Sequence, residues 1–140
     1  DCFQRNNVLL FGIFYMGNHI GNIKIDFDIY NHTCKIGYLI GEKKFLGKGL
    51  GYLSVKKIIS FLFKKNIRSI STDVLSKNLK SISLLKKNNF KKIYNLKNRI
   101  YFQKKTIDII GFELINKKFH KKYYNKKLNF KNKNYKILIN

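Results

Sequence analysis

The sequence predicts an α/β fold, a mixed α+β sheet with helices packed on it, and three observations carry that prediction. The chain opens on an aromatic and branched run, followed by one in which apolar and polar residues alternate, the period of a strand with one buried face. Two later stretches repeat apolar residues at helical spacing. Between and after them come further strand-like runs, so strands and helices interleave as they do in layered α/β units. With 140 residues, 44% of them hydrophobic and 15% aromatic, the chain can bury one core.

The first strand is Val8 to Met16, rich in aromatic and branched residues and closed by the turn pair Gly17 and Asn18. In the second, Ile23, Ile25, Phe27 and Ile29 alternate with Asn22, Lys24, Asp26 and Asp28. Residues 31 to 33, Asn-His-Thr, supply a turn, and Cys34 to Ile40 reads as a third antiparallel strand. A glycine-rich loop follows. From Gly51 to Lys65, Val55, Ile58, Ile59 and Leu62 share one helical face. Residues 66 to 75 give a turn and a strand, and Asn78 to Asn88 a second helix with Leu79, Ile82 and Leu85 on one side. Phe90 to Tyr94 and Thr106 to Ile115 are two more strands. Residues 117 to 136 form a basic, aromatic-dotted tail that reads as a poorly ordered end or a docked helix.

A net charge of +23 ordinarily points to nucleic acid or an anionic surface. Here the cations are almost all lysines, with only Arg5, Arg68 and Arg99 as arginines, whereas base-edge and phosphate-fork recognition favours arginine. Abundant Ile and Asn and the absence of Pro fit an A/T-rich coding sequence, which explains the lysines more simply. A binding module for nucleic acid or an anionic surface, carried by the lysine-rich tail, stands as the alternative reading. The longest oily run, Ile58 to Phe63, is interrupted by a serine, far short of a membrane span. The chain opens on Asp1 without a signal segment, and its N-terminus reads as cut. Cys2 and Cys34 show neither disulfide nor metal-knuckle spacing and fit a reducing cytosol; no metal is expected.

Gly47, Gly49 and Gly51 stand at alternate positions at the mouth of the first helix, among Lys43, Lys44 and Lys48. Glycine lets successive N–H groups turn toward one point, and such an array at a helix N-terminus suits phosphate oxygens. A nucleotide-triphosphate loop fails because Gly49, not Ser or Thr, follows Lys48; a dinucleotide fingerprint fails because Tyr52 stands where its third Gly belongs. A ligand-free strand-to-helix turn is the bland alternative.

The segment from Ile36 to Phe63, followed by Asn78 to Phe90, resembles the GNAT superfamily of acetyl-CoA-dependent N-acetyltransferases. The likeness spans roughly residues 8 to 95 and is nearest to the branches that acetylate ribosomal-protein N-termini and nucleotide-linked amino sugars. It aligns Leu46-Gly47-Lys48-Gly49-Leu50-Gly51 with the loop that cradles the CoA pyrophosphate, Leu46 replacing the usual Gln or Arg. Asn78, Ser81, Lys87 and Phe90 match the downstream motif, with Asn89 in place of a Gly. The resemblance implies that Leu39 and Ile40 bond the pantetheine arm through their backbone on a strand that splays from its neighbour, and that Asn78 and Ser81 flank the arm opposite. By themselves those two are ordinary helix-start residues. It further implies a fold that lacks the family's N-terminal strand and helices, a domain over residues 1–116 and a basic extension over 117–140.

Acetyl transfer needs a neutral amine, a polarised thioester and a proton for the departing thiolate. Family members that use a tyrosine on the second helix as acid have it where this chain has Leu85. The catalytic residues are therefore unassigned. Asp26, Asp28, Glu42 and Asp73 are the carboxylates in reach, each also readable as structural, and His19 and His32 lie at turns. The partners expected are acetyl-CoA and an amine acceptor, an amino sugar of surface polysaccharide synthesis foremost, with protein N-termini and polyamines open; a homodimer is also left open. A surface this positive disfavours a cationic polyamine.

Overall fold

Leu9, Phe11 and Ile13 are buried while Leu10 between them is 44% exposed, so the first run takes strand geometry as β1, Val8–Tyr15. The computed structural model describes residues 7–120 and 135–139; Cys2 and residues 121–134 of the tail lie outside the described residues. β1 turns into β2, Asn18–Asp28, through Met16 and Gly17, whose φ values of 48° and 78° suit the right-handed twist of a two-residue hairpin. The turn thus sits one residue earlier than the sequence suggested, and Asn18 already pairs with Tyr15. Ile29 falls beyond the end of β2. β3, Thr33–Ile40, pairs antiparallel with β2 over its whole length, from Asp28↔Thr33 to Gly21↔Ile40.

A short 3-10 turn, Lys43–Phe45, leads to α1, Leu50–Lys64. Its Leu50, Val55, Ile58 and Leu62 are at most 5% exposed. β4, Ser69–Leu75, lies parallel to β3, and α2, Leu79–Lys87, follows it. Both helices end in Schellman caps with asparagine in the left-handed position. Asn66 has φ 58° with Ile67 N–H donating to Leu62 O; Asn89 has φ 64° with Phe90 N–H donating to Leu85 O. Asparagine tolerates that conformation better than other side-chain-bearing residues, so the glycine replaced at Asn89 costs the helix end little.

β5, Lys91–Phe102, and β6, Lys105–Ile115, form a long hairpin. β5 is more than twice the Phe90-to-Tyr94 run read from the sequence, and Phe90 itself is buried before the strand begins. A seventh strand, β7, Tyr135–Ile139, pairs parallel with β1. This corrects the reading of the tail as disordered or helical through residue 136: its last residues return to the sheet and bury Ile137 and Ile139. The sheet order is β5-β6-β4-β3-β2-β1-β7, a mixed sheet with the core between one of its faces and the two helices. None of the described helices is long and apolar enough to cross a membrane.

Candidate functional site

The parallel pairing of β3 with β4 covers only Thr33–Lys35 against Ser69–Ser71. Beyond Lys35 the strands part, leaving the β4-facing edge of Ile36 to Ile40 without a ladder partner among the described residues; unpaired strand edges are ready acceptors for an extended ligand. β3 is held instead to β2, where a Cβ placed on Gly21 would stand 2.0 Å from Leu39 O. Only glycine admits that approach, so Gly21 lets the end of β3 lean toward β2 and away from β4.

Each prong of this fork leads to a helix. After β3, Gly41 N–H donates to Ile20 O at 2.8 Å, Phe45 anchors the loop edge-on against Tyr15 at 5.8 Å, and the chain swings out through Leu46 to Gly49. Gly47 and Gly49 have φ of 78° and 74°, and a Cβ on either would meet nothing within 4 Å. The loop therefore faces open space. Gly49 is the N-cap of α1 and supplies no side chain to it; the first turn contains no acidic residue. The first intrahelical bond is Leu53 N–H to Gly49 O, so the N–H groups of Leu50, Gly51 and Tyr52 lack helical partners, at the positive end of a helix macrodipole. Lys44 is paired with Glu42 at 3.1 Å, and Lys44 and Lys48 flank the Phe45 ring.

After β4, Asn78 N–H bonds Leu75 O, and Asn78 caps α2 by accepting from Ser81 N–H at 3.1 Å. α1 and α2 meet at Gly51, where a Cβ would lie 3.0 Å from Leu84 Cδ1 and 3.9 Å from Ile40 Cγ1; Asn88 Nδ2 ties the end of α2 to Tyr52 O. Leu39, Ile40, Gly47 to Gly51, Asn78 and Ser81 thus bound one wedge at the open end of the fork. Leu46 is exposed on the loop, and Lys87 is exposed in the last turn of α2.

The carboxylates separate clearly. Asp26 pairs with Lys24 at 3.0 Å and Glu42 with Lys44. Asp28 closes the far turn; bonds from the Asn31 side chain and backbone hold its carboxyl below the ordinary value. His32 is also at that far end, 2% exposed and 6.1 Å from the Phe119 ring. His19 contacts Asn22 Oδ1 at 3.1 Å. Of these candidates Asp73 is the one carried on β4, two residues past Ser71, where β3 and β4 part. Lys35 and Tyr94 both donate to it, and the Tyr94 ring crosses the sheet over Gly111, where a Cβ would meet it at 2.2 Å. Burial alone would raise the Asp73 carboxyl, but these two bonds outweigh it and hold it low. The same carboxylate pushes Tyr94 up to about 12. Asp73 is thus a fixed anion, suited to orienting an ammonium group, and Tyr94 a phenol that keeps its proton.

The sign of the Asp73 shift gives a prediction. A depressed carboxyl stabilises the fold above its unfolded value near 4, and that contribution disappears as pH falls through the folded value. Asp73→Asn is expected to lower stability at pH 7 by less than about 1 kcal/mol, because the pair is partly solvated. In denaturant titrations the gap between variant and parent should close below pH ~4. A gap that persists there would show that the pairing does not set it.

Residues 3–91 match the family model described as the acetyltransferase (GNAT) domain. The fold is similar to ribosomal-protein-S5-alanine acetyltransferase of Vibrio fischeri, with a TM-score of 0.67 and 24% identity over 74% of this chain and 58% of that one. An N-acetyltransferase from Staphylococcus aureus Mu50 gives 0.67 and 24% over 73% and 64%. A chimera of the spermidine N-acetyltransferase of Vibrio cholerae gives 0.76 and 17% over 83% and 74%. The chain therefore spans less than two thirds of the first two relatives' length. No curated protein matches it by sequence.

Proposed function

Because the chain belongs to the GNAT acetyltransferase family, we propose that it transfers an acetyl group from acetyl-CoA to a primary amine. The observation that carries this reading is the uncapped start of α1 behind an open, positive-φ glycine loop, set at the mouth of a fork between two parallel strands. Phosphate oxygens need N–H donors without partners and a favourable dipole, and residues 47 to 51 supply both. Lys43 and Lys48 add screened attraction. The backbone of Leu39 and Ile40, on the edge β4 leaves unpaired, is placed to bond the amide-bearing arm, with Asn78 and Ser81 opposite and Leu46 and Lys87 at the rim. Acetyl-CoA supplies an activated acyl group, and the fork's chief contribution is placement.

For the acceptor, the positive surface favours an amine carried on an anionic molecule, such as a nucleotide-linked amino sugar, over a free polyamine. A protein N-terminus is the second reading, favoured by the likeness to the ribosomal-protein acetyltransferase. The reading takes residues 1–116 as the acetyltransferase unit and 117–140 as an extension that adds a strand to its sheet. It sets the protein in the cytosol, with a homodimer as its candidate assembly.

Acetyl-CoA at a hundred times its dissociation constant should raise unfolding free energy by about 2.7 kcal/mol, read as a rise in melting temperature. Thiol release should then be followed across nucleotide amino sugars, peptide N-termini and spermidine. Folded protein that shows no shift at millimolar acetyl-CoA would overturn the reading.

A further inference from the structure

Tyr38 stands on β3 between Ile36 and Ile40, in the stretch that β4 leaves unpaired, and its ring packs against the core on the helix-covered side of the sheet. Its hydroxyl is buried and has no hydrogen-bond partner among the described residues. A buried hydroxyl left unmade costs about 1–3 kcal/mol, and native structures hold few of them without a reason. The Ser81 hydroxyl, on the first turn of α2, adjoins it without closing a hydrogen bond of good geometry. The phenol therefore lies beside Ser81 at the start of α2, a residue that bounds the wedge, and one position before Leu39 on β3.

We propose that Tyr38 is a catalytic residue, the acid that protonates the departing thiolate; the assignment rests on the acetyl-transfer reading above. The amine nitrogen bonds to the thioester carbonyl carbon, and the carbon–sulfur bond breaks with its electron pair passing to sulfur. The phenol proton goes to that sulfur and gives the free thiol. The phenolate then recovers the proton that the amine nitrogen releases. Burial raises the Tyr38 hydroxyl above its ordinary value, with Ser81 opposing part of the rise, so the group enters each cycle protonated. The other candidates are worse placed. Leu85, one turn beyond Ser81 on α2, is fully buried and has no proton to give. Tyr94 is on the open face of the sheet, with its proton engaged by Asp73.

The test is Tyr38→Phe, which keeps the ring and removes only the unbonded oxygen. Its melting temperature without ligand should equal or exceed that of the parent, and acetyl-CoA should shift it as before. Turnover should fall about 10²-fold with KM for acetyl-CoA unchanged. A turnover within about twofold of the parent, with the shift intact, overturns the assignment and leaves the function standing. A less stable variant overturns it too, since the hydroxyl would then be bonded in the folded chain. A parent protein that neither shifts with acetyl-CoA nor releases thiol removes the function, and this assignment with it.

Discussion

Replacing Gly49 by valine is expected to abolish the thermal shift given by acetyl-CoA while leaving a folded protein. Gly49 sits at φ 74°, where a residue with a Cβ pays roughly 1–2 kcal/mol and a β-branched one is a true outlier. A Cβ there meets nothing within 4 Å, so the penalty is conformational and not a clash with neighbours. The loop can relieve it only by turning φ negative. That rotation swings the peptide groups on either side of residue 49 and unsets the N–H array in front of Leu50 and Gly51. Fold stability should fall by about 1–2 kcal/mol, whereas cofactor binding depends on several N–H groups aimed together and should be lost. Melting curves with and without millimolar acetyl-CoA separate the two effects. A Gly49→Val protein that keeps the full shift would show that the phosphates are held elsewhere.

The parts of this molecule that were legible in its sequence are those whose signal is local. β2 shows as alternation because one face is buried and the other is wet, β1 as an aromatic and branched run closed by a turn pair, and α1 as a stripe of Val55, Ile58 and Leu62. The loop shows as an open turn at a helix mouth because Gly47 and Gly49 stand where a strand meets a helix. β5 was cut short because Asn95 and Asn98 break its pattern. Asn98 in fact sits at φ 52° in a bulge between Leu96 and Ile100, its N–H donating to Asp108 Oδ1 at 2.9 Å. β7 was hidden because five strand residues follow a lysine-rich run whose composition suggests disorder. What no local pattern could reveal are contacts made by topology. Lys35, Asp73 and Tyr94 come from three strands and meet only because β6 runs between β4 and β5 with a glycine at position 111. Tyr38 did carry a signal, a hydroxyl on the buried side of a strand, but its lack of a partner emerges only once α2 is in place.

Gly21 is a contact of the same kind, and Gly21→Ala should be the most damaging single-methyl change near the site. The added Cβ would stand 2.0 Å from Leu39 O and 3.0 Å from both Leu39 C and Ile40 Cα. All three are backbone atoms, so no side chain can swing aside; either β2 or β3 must shift. Overpacking of this kind costs about 1–3 kcal/mol. The direction of the shift matters more than its cost. β3 is bonded to β2 on one side and is free of β4 beyond Lys35 on the other, so its end moves toward β4 and narrows the fork. The variant should therefore lose both melting temperature and most of its response to acetyl-CoA, with faster amide exchange at residues 39 to 41. Gly37→Ala supplies the control, because Gly37 lies on the neighbouring strand β3 in an exposed position with open space around it. There the smaller entropy of the unfolded alanine chain should leave stability unchanged or slightly higher. Equal losses at positions 21 and 37 would mean that the paired strands β2 and β3 simply tolerate no added side chain, and that the approach of Leu39 to Gly21 does not hold the fork open.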